Sequence, residues 1–264
     1  MKIKSKKNIL VTGGAGFIGF HLTKQLLKKN FSVFGIDNIN NYYDENLKLN
    51  RLGELKSFEN FNFLKVDISD VELLHKAFDV AREQNGQERI CINCAGIAPA
   101  QKTVTNGFGH DPELFSRVIN TNLIGCFNVA SYSAAGMSQA KILNENGERG
   151  VIINTASIAA FEGQIGQSAY AASKAGIVGM TLPMARDLAV HGIRVMSIAP
   201  GIFSTPMLKN LSAEVQESLS ESIPFPSRLG CPSEYADLVI HILGNPMLNG
   251  ENIRLDGAVR LSKK

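Results

Sequence analysis

Tryptophan is absent from the 264 residues, and neither sign of charge dominates. The 27 lysines and arginines against 24 aspartates and glutamates leave a net of only +3. So slight a balance excludes the clustered basic face that nucleic-acid binding needs. The lysines in MKIKSKKNILV read as a solvated tail. No apolar run reaches the roughly 20 residues that cross a bilayer, and the start has no long apolar core of the secretory kind. Neither a nucleic-acid nor a membrane partner is expected. Cysteine is sparse: Cys91, Cys94, Cys126 and Cys231. Cys91 and Cys94 form C-x-x-C, but within a strand-like run. Residues three apart on a strand face opposite ways, so they are not expected to share a metal. Buried free thiols in a reducing compartment are the simpler reading, and a cytoplasmic protein is expected.

What is abundant is apolar character, 44% of residues, which suits one large domain with a substantial core. Apolar, β-rich runs alternate with helical patterns. The strand candidates are NILVTG, SVFGID, FNFLKVD, RICINCAG, GVIINTAS, IRVMSIAPG and ENIRLDG. Most are apolar at nearly every position, as parallel strands covered on both faces are. The expected fold is α/β: a single-domain, Rossmann-like, doubly wound parallel sheet of about seven strands over residues 1–264. Two insertions break the rhythm. YYDENLKLNRLGELKSFEN, between strands two and three, is expected to add a helix. A long connection after strand six, about residues 202–230, is expected to act as a substrate lid, since such loops line the ligand crevice.

TGGAGFIG follows the first strand and opens the first helix. Gly13 permits the tight turn, Gly16 lets backbone approach a pyrophosphate, and Gly19 lets helix and strand pack closely. The helix N-terminus at Phe17 and Ile18 offers N–H groups to phosphate. Strand two ends in Asp37, where a carboxylate can accept the hydroxyls of an adenosine ribose and repel a 2′-phosphate. No Arg or Lys in the following NINNYY offsets it, so NAD is the expected cofactor. Asp67 and Ile68 are expected beside the adenine, Cys94 and Gly96 beside the cofactor after strand four, and Phe203 and Thr205 beyond the Pro200–Gly201 turn.

Tyr170 and Lys174 are four apart on a helical segment and share a face. Ser157 stands thirteen residues before Tyr170, at a strand end. Oxidising an alcohol removes a proton from oxygen and a hydride from carbon. A tyrosine titrating near 10 is a poor base unless positive charge lowers it, and Lys174 together with the positive nicotinamide ring is expected to do so. Tyr170 is then the acid–base group, Ser157 a donor to the substrate oxygen, and Asn122 the holder of a water reaching Lys174.

These residues resemble the short-chain dehydrogenase/reductase superfamily. From about residue 76 onward, NCAGIAPAQKTV, INTASIAAFEGQIGQSAYAASKAGIVGMTLPMARDLA and NGENIRLDGAVR are similar to type 2 3-hydroxyacyl-CoA dehydrogenases. That resemblance implies NAD, a homotetramer, a short (S)-3-hydroxyacyl-CoA substrate and a substrate contact from Gln164. Residues 1–75 differ. T-G-x-x-G-x-x-G and GIDNINNYYDENLKLNRL resemble the start of a UDP-glucuronate 4-epimerase. A hybrid chain with its junction between Asp67 and Arg89 is expected, with imperfect packing at the seam. The alternative functions are an epimerase-like isomerase and a non-catalytic hybrid that binds NAD.

Overall fold

The computed structural model of the chain describes residues 8–42, 44–205 and 212–263. Seven strands form one parallel sheet: β1 (Asn8–Thr12), β2 (Ser32–Asp37), β3 (Phe61–Lys65), β4 (Ile90–Asn93), β7 (Gly150–Thr155), β8 (Ile193–Pro200) and β9 (Asn252–Leu255), in the order β3-β2-β1-β4-β7-β8-β9. The order reverses between β1 and β4, and a crevice for a ligand opens at such a switch point. A small hairpin, β5 (Val104–Thr105) and β6 (Phe108–Gly109), stands apart from the sheet and was not foreseen in the sequence.

Alternation along the buried strands sorts their side chains into two cores. Ile9, Val11, Ile90, Ile92 and Ile153 pack with α1 (Phe17–Lys28), α2 (Glu45–Leu55) and α8 (Pro232–Gly244). Leu10, Phe34, Cys91 and Ile152 pack on the other face with α3 (Val71–Asn85), α5 (Cys126–Gln139) and α6 (Ser168–Ala189). Each fully buried aliphatic side chain stabilises the fold by about 1.5–3 kcal/mol relative to exposure. Cys91 belongs to the second core while Cys94 packs against the first, so the C-x-x-C pair does face opposite ways.

The long helical run before β7 is continuous but changes pitch. α4 (Pro112–Ile119) runs into a π-helical turn over Asn120–Gly125, and α5 follows. Of the expected lid, residues 206–211 lie outside the described residues. The remainder forms α7 (Ala213–Glu221) and a return in which Phe203 bridges Gly230. Ile223 of that return packs with Ile158 and Val259.

The expected seam is closely packed. β1 pairs with β2 on one side and β4 on the other, Ile9 standing opposite both Val33 and Ile90. A Cβ on Gly125 would lie 2.9 Å from the Ile68 side chain, so the two parts meet at van der Waals contact.

Candidate active site

A cleft of about 330 Å³ opens at the carboxyl ends of the strands. Its floor begins with the glycine loop. Gly13 has φ +66°, a left-handed conformation that glycine adopts freely. A Cβ on Gly19 would fall 2.1 Å from the Gly13 carbonyl oxygen, so only glycine lets α1 start this close to β1. Gly16 caps α1 with no side-chain hydrogen bond, leaving the first N–H groups of the helix available to an anion. A cradle of this form fits a dinucleotide pyrophosphate.

Asp37 is buried at the end of β2. Its carboxylate accepts the Ala15 N–H at 3.2 Å and the Ile39 N–H at 2.9 Å. The expectation that no cation offsets it is corrected by the fold. Lys48, almost wholly buried on α2, brings its ammonium to 3.8 Å from Asp37 and donates to Asn40 at 2.8 Å. Burial lowers the Lys48 pKa, and the Asp37 charge opposes that shift. Arg51, one helical turn on, donates to the Ala15 carbonyl at 3.4 Å. Helical spacing in NLKLNRL puts Lys48 and Arg51 on one face; the turn back toward β2 is what sequence could not supply. Asp67 accepts hydrogen bonds from Asn38 at 2.8 Å and from Ser69. Burial would raise its pKa, but those bonds prevail and hold it below the usual carboxylate range.

At the other end stand Ser157, Tyr170 and Lys174. β7 delivers Ser157 just past its last residue, and α6 places Tyr170 and Lys174 one turn apart, the ammonium 5.8 Å from the phenol ring centre. The Ser157 hydroxyl hydrogen-bonds the phenol. Lys174 donates to the Thr155 carbonyl at 2.7 Å. Pairing of β7 with β4 stops at Asn154–Asn93, so this carbonyl lies beyond the ladder and takes the ammonium instead. Burial brings the Lys174 pKa down to about 8, while the Cys126 and Cys94 thiols act weakly the other way.

The expected lowering of the Tyr170 pKa by Lys174 is also corrected. Burial raises the phenol's pKa, and the Ser157 hydrogen bond only partly offsets this. The ammonium serves the Thr155 carbonyl rather than the phenol oxygen.

Of the residues expected in the site, Gly13, Gly16, Phe17, Ile18, Asp37, Asp67, Ile68, Cys94, Gly96, Ser157, Tyr170, Lys174, Phe203 and Thr205 all line the cleft. Asn122 and Gln164 do not. Asn122 is fully buried in the π turn; it donates to the Ile97 carbonyl and to Ser173 and accepts the Ile97 N–H. Its side chain clamps the loop after β4. Gln164 reaches the Ser262 carbonyl at 3.3 Å. Sequence reasoning missed Tyr42, whose hydroxyl accepts the Ala98 N–H at 2.8 Å inside the cleft. It also missed Tyr235 of α8, buried beneath the site with its hydroxyl 2.7 Å from that of Thr155.

The short chain dehydrogenase family profile matches residues 7–216. The chain is 48% identical over 254 residues to the 3-hydroxyacyl-CoA dehydrogenase type-2 of Bos taurus, covering 96% of this chain and 94% of that one. The Homo sapiens protein of the same name matches with the same identity and coverage. Among solved structures, 3-hydroxyacyl-CoA dehydrogenase type-2 from Mycobacterium avium superposes with a TM-score of 0.90 at 37% identity, covering 100% of both chains. These similarities run through the expected junction between Asp67 and Arg89; they show no epimerase origin for the first third.

Proposed function

The chain belongs to the short chain dehydrogenase family, and from that premise we propose that it interconverts an (S)-3-hydroxyacyl-CoA and the 3-oxoacyl-CoA with NAD as cofactor. It is an oxidoreductase. The observation that carries the reading is the convergence of Ser157, Tyr170 and Lys174 on the same cleft as the glycine loop and Asp37. When bound, the nicotinamide supplies or accepts the hydride. In reduction, Tyr170 gives its phenolic proton to the substrate oxygen, which Ser157 also holds by a hydrogen bond. In oxidation, the phenolate takes that proton back. Lys174 holds the Thr155 carbonyl and offers a donor for a ribose. Asp37 favours the unphosphorylated ribose even with Lys48 beside it, because its carboxylate stands at the end of β2 and is held by two backbone N–H groups.

Acetoacetyl-CoA with NADH or NADPH tests the reading through absorbance of the reduced cofactor. Consumption of NADH, at least tenfold faster than NADPH, is expected; no consumption of either overturns it. A homotetramer belongs to the same reading. Phe115, Ile124, Phe127 and Leu182 expose large apolar surfaces on α4, the π turn, α5 and α6, and light scattering should give four times the chain mass of 28.6 kDa. A monomeric mass would remove that part. A cytoplasmic location is proposed from the four free thiols. No helix among the described residues is long and apolar enough to cross a membrane.

A further inference from the structure

The segment between β2 and α2 is the part of the chain that the catalytic reading leaves unused. It is pinned in three directions. The Asn38 amide donates to Asp67 after β3 at 2.8 Å. Asn40 accepts from Lys48 of α2 at 2.8 Å. The Tyr42 hydroxyl accepts from the Ala98 N–H, beyond β4, at 2.8 Å. Asn38, Asn40, Tyr42, Asp67, Lys48 and Ala98 all line the cleft.

The last of these contacts is of a different kind. β2 and β4 lie on opposite sides of β1 in the sheet. The Tyr42–Ala98 bond therefore joins two walls of the cleft across the strand that carries the glycine loop. Core burial does not account for it, because Tyr42 remains 40% exposed. Between Asp37 and Tyr42, the buried Ile39 has φ +49°. A β-branched residue in the left-handed region is a genuine outlier, and such outliers gather at ligand clamps. The Ile39 N–H bond to Asp37, the residue at the adenosine end, holds this conformation. A side chain at the cofactor's edge and one near the catalytic phenol are thus tied through the four residues between Asp37 and Tyr42. The Tyr42 phenol also feels Tyr170: burial raises its pKa, the Ala98 bond lowers it, and the Tyr170 charge raises it again.

We propose that Tyr42 is a cofactor-site residue of this enzyme, a positioning residue whose hydroxyl latches the β2–α2 segment to Ala98 across the dinucleotide cleft and so sets the rate at which the nicotinamide cofactor leaves. The inference rests on the nicotinamide reading above. It concerns residence of the cofactor and not the chemical step, since Ser157 stands just past β7 and Tyr170 and Lys174 stand on α6.

Tyr42→Phe tests it, because it removes the hydroxyl and leaves an exposed ring that the fold tolerates. Wild type and variant are each loaded with NADH, then mixed with excess NAD in a stopped-flow instrument, and NADH fluorescence reports release. Release about fivefold faster in the variant is expected, the factor that one hydrogen bond of ordinary net strength confers. The single-turnover rate of acetoacetyl-CoA reduction by bound NADH should stay within twofold. Release at the wild-type rate overturns the latch, as does faster release accompanied by an equal loss in the chemical step. Failure of wild type itself to bind NADH would instead sink the nicotinamide reading, so the two failures are distinct.

Discussion

At the scale of single residues, the site is governed by burial working against charge. Burial raises the Tyr170 pKa, and the Ser157 hydroxyl opposes that shift. On the proposed reading, oxidation needs the phenolate and is expected to accelerate as pH rises. Lys174 titrates at about 8 because its charged form is disfavoured by burial. Its ammonium is present below that pH and is lost as pH rises through it. The kcat/KM for acetoacetyl-CoA reduction should accordingly fall with an apparent pKa near 8, and this limb should be missing in Lys174→Met. A profile flat from pH 6 to 10 would contradict the assignment. Ser157, Tyr170 and Lys174 were legible in the sequence because local geometry fixes them: a strand end, and two positions one helical turn apart. Lys48 and Tyr42 were not, since each acts where α2 or its preceding segment folds back on a distant strand. The direction of the Tyr170 shift was misread for a related reason. Spacing shows that a lysine is near a phenol, but not that a carbonyl one strand away claims its proton.

At the scale of elements, the π turn over Asn120–Gly125 has a definite purpose. One wider turn carries Asn122 to the loop after β4, where it satisfies both the N–H and the carbonyl of Ile97. Loss of those bonds leaves backbone polar groups unpaired at the cleft wall. Asn122→Ala should cost about 2–3 kcal/mol, read as a lower denaturant midpoint, and should raise KM for NADH because Ile97 lines the cleft. An unchanged midpoint would refute the clamp. The π turn is not legible in the sequence, since it leaves the apolar spacing almost intact. Strands were easier to read: their near-continuous apolar runs required cover on both faces, and the two cores divide their side chains accordingly. The glycine spacing that suggested a foreign first third is absorbed without a gap. Gly19 still meets Gly13 at backbone contact, and β1 keeps register with β2 and β4 alike.

At the scale of the whole molecule, the sheet's reversal between β1 and β4 places a cofactor cradle at one end of a single cleft and an acid–base group at the other. Helices from both sides of the expected junction, α1 and α2 with α8, cover the first core, and similarity to the hydroxyacyl-CoA dehydrogenases extends across 96% of the chain. On the proposed reading, Tyr170 is the source of the proton that accompanies the hydride. The most direct test is single-turnover reduction of acetoacetyl-CoA by enzyme-bound NADH, followed by absorbance in wild type and Tyr170→Phe. Loss of the phenolic proton should slow the variant by roughly 10²–10⁴-fold while NADH affinity is kept. Equal rates in the two proteins would contradict the account.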